Sequence, residues 1–148
     1  MVSKNPCDDD VYKMDSNPRG FCVIFNFLNF DNKECESRND SIESVSKVRN
    51  TFEGLQFDVR IHQDFSNKQF FSKLNDLINS DDCKSHDSFI LYIHSNGLKN
   101  GFLTSNNIII SYNEVIKMFS NRKCKNFTKK PKIILFDCCR EGMSLEGL

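Results

Sequence analysis

The sequence predicts an α/β fold, a mostly parallel sheet with helices on both faces. Three observations carry this. Short, nearly continuous apolar runs, suited to strands buried on both faces, recur at Phe21–Phe27, Phe89–Ile93 and Ile133–Phe136. Segments with apolar residues at helical spacing alternate with them, and strand–helix alternation favours parallel crossovers. Capping-box patterns, a short polar residue followed three positions later by Glu or Gln, open each helical segment.

Taken in order, residues 1–18 are polar and acidic, with Asp8-Asp9-Asp10 and prolines at 6 and 18, and read as a flexible arm before a domain over 19–148. Phe21 to Phe27 is the first strand. Asp40, with Glu43 three residues on, is expected to cap a helix that places Ile42, Val45, Val48, Phe52 and Leu55 inward and stops at Gly54. Phe57, Val59 and Ile61 alternate with polar residues, as in a half-buried strand. Ser66 and Gln69 open a second helix with Phe70, Phe71, Leu74, Leu77 and Ile78 on one face. Ser88 to His94 is a buried strand. Gly101 to Ile110 reads as a hairpin turning at Asn106-Asn107. Ser111 and Glu114 open a third helix with Tyr112, Val115, Ile116 and Phe119 inward. The last strand, Ile133 to Phe136, is expected to end on the polar cluster Asp137-Cys138-Cys139-Arg140.

Composition excludes several function classes. Lys+Arg and Asp+Glu balance at 20 each, so no net field favours nucleic acid or an anionic membrane. The basic stretch from Arg122 to Lys132 reads as a solvated face, with only Phe127 interleaved. No apolar run approaches the roughly 20 residues a membrane helix needs, and the N-terminus has no signal-peptide core. The seven Cys are odd in number and scattered, without a CxxC pair, which suits a reduced, cytoplasmic protein with no metal and no cofactor. His62 and His86 are isolated and lack ligand spacing.

Reactive groups in open α/β sheets sit just past the carboxyl ends of parallel strands, so a thiol after Phe136 is a candidate nucleophile. The competing reading makes Cys138 and Cys139 small buried core residues.

The order of motifs resembles the caspase family, specifically its large subunit, over roughly residues 12–142. Tyr12-Lys13-Met14, Arg19-Gly20 leading into the strand to Asn29-Phe30, Arg38, Thr51-Phe52, Leu55-Gln56-Phe57-Asp58-Val59, Asp87 to Gly97 and Lys130-Pro131-Lys132 follow the family's succession. The resemblance implies a caspase-like three-layer α/β sandwich lacking the small-subunit strands. It places Cys139 at the nucleophile and Gly97, with the Cys139 N–H, at the oxyanion hole. Arg38 falls on one of two arginines that clamp the substrate's aspartate.

The chain also departs from the family. Ser-His-Gly becomes Ser95-Asn96-Gly97, so Asn96 replaces the catalytic base, and Asn does not titrate near neutral pH. His94 lies two residues earlier, where it is expected to hold the apolar strand position before the loop; a shifted strand ending would bring it round as a substitute base. Gln-Ala-Cys-Arg-Gly becomes Asp137-Cys138-Cys139-Arg140-Glu141, so Asp137 sets a carboxylate where an aspartate substrate binds. Loss of a general base alone typically costs about 10²–10⁴ in rate. Glu141 to Leu148 holds no Asp for maturation cleavage, and the chain reads as one that ends early.

The reading is a caspase-like pseudoenzyme. Its expected partner is a paralogous caspase, a caspase small subunit or a caspase regulator, bound through the uncovered edge at Ile133–Phe136. The alternative is a cysteine endopeptidase completed by a separate small subunit. A redox-sensing thiol protein at Cys138-Cys139 is a third reading.

Overall fold

A computed structural model describes residues 11–32 and 39–139, with Cys139 described by its backbone alone. The first ten residues of the expected arm, Arg38, Arg140 and the segment 141–148 lie outside the described residues.

Strand β1 (Gly20–Asn26) is buried along its whole length and sits between β2 (Asp58–Gln63) and β3 (Ser88–Leu98). Both pairings are parallel. Strand β6 (Lys132–Cys139) lies parallel to β3 on its other side, so the parallel sheet runs β2-β1-β3-β6. A small antiparallel hairpin, β4 (Gly101–Leu103) and β5 (Ile109–Ser111), continues from the far end of β3 through Gly97 and Leu98. Helix α1 (Ser41–Gly54) connects β1 to β2, α2 (Asn67–Asn79) connects β2 to β3, and α3 (Tyr112–Met118) precedes β6. Among the described residues no helix is long and apolar enough to cross a membrane.

Strand alternation divides the core into two layers. Phe21, Val23 and Phe25 of β1, with Phe89, Leu91 and Ile93 of β3, pack beneath Phe70, Leu74 and Ile78 of α2 and Val115 of α3. Cys22, Ile24, Ile90 and Tyr92 face the other way, against Val45, Val48 and Phe52 of α1. The abundant Phe residues fill the larger layer with edge-to-face contacts, such as Phe25–Phe70 at 4.6 Å and Phe89–Phe127 at 5.4 Å. This is the three-layer α/β sandwich expected from the sequence.

Local expectations fared unequally. The capping boxes Ser66/Gln69 and Ser111/Glu114 are both formed. Asp40 precedes α1 but makes no side-chain cap, because its own backbone is already helical (φ −66°, ψ −20°). A capping side chain needs an extended backbone at that position, as Ser66 and Ser111 have. The hairpin turns where expected, with Asn107 at φ 59° and Thr104 N–H donating to Ile108 O. Ile42, Leu55 and Ile116 were expected inward and are exposed at 61%, 47% and 49%. α1 offers only a narrow stripe to the sheet, Leu55 lies beyond its last turn, and the seven-residue α3 buries Val115 alone.

The last strand also differs from expectation. It does not stop at Phe136 but continues through Asp137, Cys138 and Cys139, in register with His94, Ser95 and Asn96. β3 likewise runs on to Leu98. The polar residues there do not break the ladder, because each is accommodated on its own face. Ser95 donates to Leu103 O at 2.6 Å, Cys138 packs on the large core, and Asp137 is held by neighbouring side chains.

Candidate functional site at the β3–β6 ends

The candidate site lies where β3 and β6 run out together. In parallel strands, Cα partners occupy the same face. Tyr92 partners Leu135, His94 partners Asp137, and Asn96 partners Cys139. The structure therefore brings Asn96 and Cys139, the two positions expected to hold base and nucleophile, side by side. Gly97 follows directly and lies so close to β6 that a Cβ there would come within 2.7 Å of Cys138 O. Only glycine permits this approach of the two backbones.

Asp137 does not stand alone. Its Oδ2 accepts from the Tyr92 hydroxyl at 2.5 Å and lies 2.8 Å from His94 Nδ1. The Tyr92 and His94 rings are nearly parallel, with centroids 6.3 Å apart. His94 is 2% exposed, whereas the Asp137 side chain is 47% exposed. On β1, Asn26 stands in register with His94, and its Nδ2 donates to Ser41 Oγ at the start of α1. One polar row thus crosses three strands, Asn26–His94–Asp137.

Sequence reasoning named His94 and Asp137 separately and missed their pairing. Two-residue periodicity puts Tyr92, His94 and Asn96 on one face of β3, but only the β3–β6 register shows that Asp137 belongs with them. Cys138 points the other way, toward the core, its Sγ 3.8 Å from Ile93 O. The vicinal thiol pair is therefore divided between the two faces of a strand at the backbone level.

Asp64, which sequence reasoning also missed, holds the backbone just after β1. Its backbone is left-handed (φ 53°), and its carboxylate accepts from Leu28 N–H at 2.7 Å and from Asn29 N–H and Nδ2–H at 2.9 Å each. This clasp fixes the chain at Leu28 and Asn29 as it leaves β1. The Lys130-Pro131-Lys132 motif has a structural explanation. Lys130 Nζ donates to Lys84 O and His86 O, and Lys132 Nζ donates to Phe127 O and Asn121 Oδ1. These amines cap turn carbonyls beneath the entry to β6, so part of the basic stretch serves folding.

The remaining described thiols are inert by environment. Burial pushes the Cys22 thiol up to about 12 and raises Cys83 and Cys124. Burial also lowers His62 and His86, which lie against Phe25 and Phe21 respectively, away from the β3–β6 ends. No cluster of three or more His, Cys, Asp or Glu among the described residues has the arrangement of a metal site.

Comparison with known proteins agrees with this geometry. The family model described as "Caspase domain" matches residues 19–147. Caspase-3 of Bos taurus is 28% identical over 133 residues, covering 89% of this chain and 48% of the relative. Caspase-2 of Gallus gallus is 27% identical over 139 residues, covering 93% of this chain and 33% of the relative. The chain thus spans about half the length, or less, of these relatives. Among solved structures, the Drosophila initiator caspase Dronc superposes with a TM-score of 0.81 at 17% identity, covering 90% of this chain and 54% of that one. With its fold, its strand order and its matched span in agreement, the chain belongs to the caspase-domain family.

Proposed function

We propose that this chain acts in caspase-type proteolytic signalling, of the kind that serves apoptosis, by binding rather than by cleaving. Its partner would be a paralogous caspase, a caspase small subunit or a caspase regulator, met in the cytoplasm. The observation that carries this reading is the outer edge of β6. Among the described residues no strand pairs with it, and Ile133 and Leu135 on it are 46% and 39% exposed. An apolar strand at the edge of a sheet is a template for another strand. Asn96, standing beside Cys139, supplies no proton acceptor comparable to imidazole, which supports a role without peptide turnover. The test is co-expression with a paralogous caspase. Co-purification, with altered turnover of an aspartyl peptide by that caspase, is expected; absence of both sinks the reading.

A second reading is favoured by the His94–Asp137 pair. A carboxylate on Nδ1 is the arrangement that orients a catalytic imidazole. On this reading the chain is a cysteine endopeptidase that becomes competent when a small subunit completes its groove. An active-site-directed aldehyde or ketone probe separates the two. Covalent capture at Cys139, lost in Cys139→Ala, favours the enzyme.

A further inference from the structure

We propose that the groove between α2 and α3 is a docking site for an acidic peptide segment of another protein, anchored by one bulky aliphatic residue. The groove is lined by Asn75 and Ile78 of α2, Met118 of α3 and Lys123 of the loop that follows, and it encloses about 270 Å³. Both helices pack on the larger core layer, whereas Tyr92 and the side chains paired with it face the other layer. The groove is thus distinct from the β3–β6 ends and from the β6 edge, and the proposal stands independently of the function proposed above.

Size and chemistry choose the occupant. Pockets that hold a whole small ligand run from about 300 to 1,000 Å³. This one is smaller and open on one side, which suits a single side chain delivered by a longer chain. Its apolar part is aliphatic: Ile78 is buried, and the half-buried Met118 packs on the core. A thioether adapts its shape to a Leu or Met side chain. The polar part offers donors. Asn75 Oδ1 accepts from Asn79 Nδ2 at 3.2 Å, which leaves Asn75 Nδ2–H as a donor. Lys123 is exposed and forms no ion pair among the described residues. The same holds for Arg122, Lys125 and Lys129, whereas Lys130 and Lys132 of this stretch are spent on turn carbonyls. Asp76, the acid beside Asn75 in the chain, lines a different groove with Phe65 and Lys73. The last carbonyls of α2 would repel an anion, but they are occupied. Asn126 Nδ2 donates to Ser80 O at 3.1 Å and to Ile78 O at 3.4 Å, and Asn79 Nδ2 donates to Asn75 O at 2.9 Å. A nucleic acid would also meet the basic stretch, but its one aromatic ring, Phe127, is fully buried and offers no stacking surface.

In the bound state the aliphatic anchor lies between Ile78 and Met118. A neighbouring Glu or Asp carboxylate accepts from Lys123 Nζ, and a peptide carbonyl accepts from Asn75 Nδ2. Further acidic residues meet the field of Arg122 and Lys125, which speeds encounter more than it adds affinity. The backbone of the lysine wall is already set, since Lys123 N–H and Cys124 N–H both donate to Ser120 O, at 3.0 and 2.8 Å. Little ordering cost is then left for binding. One anchor and exposed charges make the contact weak and salt-sensitive.

The experiment follows the fluorescence anisotropy of a fluorescein-labelled peptide, one Leu between pairs of Glu, as the full chain is added. Saturable binding is expected, weakening as salt rises from about 0.05 to about 0.5 M. Replacing the peptide's Leu by Ser should weaken it at least about tenfold. Lys123→Glu should weaken it roughly tenfold and make the variant prefer a peptide with Lys in place of Glu. Met118→Gln should narrow the preference for Leu over Ser. A urea midpoint close to that of the unaltered chain shows that a variant is folded. If Met118→Gln is not, the decision rests on the Leu-to-Ser comparison and on the charge exchange at Lys123, an exposed loop residue. No saturable binding, equal binding of the Leu and Ser peptides, or binding unchanged by Lys123→Glu overturns the proposal. Tighter binding of a single-stranded oligonucleotide, lost in Lys123→Glu, also overturns it and assigns the basic stretch to nucleic acid.

Discussion

Asn96 and Cys139 are Cα partners in the parallel β3–β6 ladder, and Gly97 follows at a point where β6 leaves no room for a side chain. Residue 96 therefore stands beside residue 139, the position that the family resemblance expects to hold the nucleophile. Asn96→His should restore an imidazole there without altering the ladder. Iodoacetamide modification of Cys139 at pH 7 should accelerate, up to the roughly thirtyfold ceiling set by full ionisation. An unchanged rate would mean that this backbone no longer directs residue 96 toward residue 139.

Gly97→Ala should destabilise the chain. Its Cβ would meet Cys138 O at 2.7 Å, a backbone atom that moves only if β3 and β6 separate. Overpacking of this kind typically costs about 1–3 kcal/mol, visible as a lower midpoint in urea unfolding. Gly54→Ala, where no atom lies within 4 Å of the added methyl, is the control and should not lower the midpoint comparably.

The three helix starts should separate in the same assay. Ser66→Ala and Ser111→Ala each remove a formed capping box and should cost about 1 kcal/mol. Asp40→Ala should stay within about 0.5 kcal/mol, because its side chain makes no cap hydrogen bond.

Stability should pass through a plateau in pH. Burial lowers His62 and His86 below the ordinary 6.5, so as pH falls through 6.5 the unfolded chain takes up protons that the folded chain does not. Their contribution is present above 6.5 and is lost on acidification. Burial raises Cys22 from 9.0 to about 12, so between those values the unfolded chain releases a proton that the folded chain keeps. That contribution is full below 9 and is lost as pH rises toward 12. Urea midpoints should therefore be highest between about 6.5 and 9. Cys22→Ala should flatten the alkaline limb, whatever it does to the absolute midpoint.

Most of the fold was legible in the residues because its signals are local. Buried parallel strands demand continuous apolar runs, and β1 and β3 have them. Ser66 and Ser111 announce their helices through side-chain geometry that closes within three residues. The signal weakened where burial depends on what lies opposite. Ile42 and Ile116 have helical spacing but no sheet beneath them. Asp40 has capping chemistry but the wrong backbone angles.

The candidate site was only half legible. Sequence alone determined the family resemblance, the strand that carries Cys139, and the presence of Asn96 where that resemblance leads one to expect His, since each is a matter of residue order. Tertiary structure decided that β6 continues through both cysteines, that Cys138 turns to the core, and that Asp137 is held by Tyr92 and His94. The physical reason is register. Residues 94 and 137 stand 43 positions apart in the chain, and only the ladder between β3 and β6 makes them neighbours.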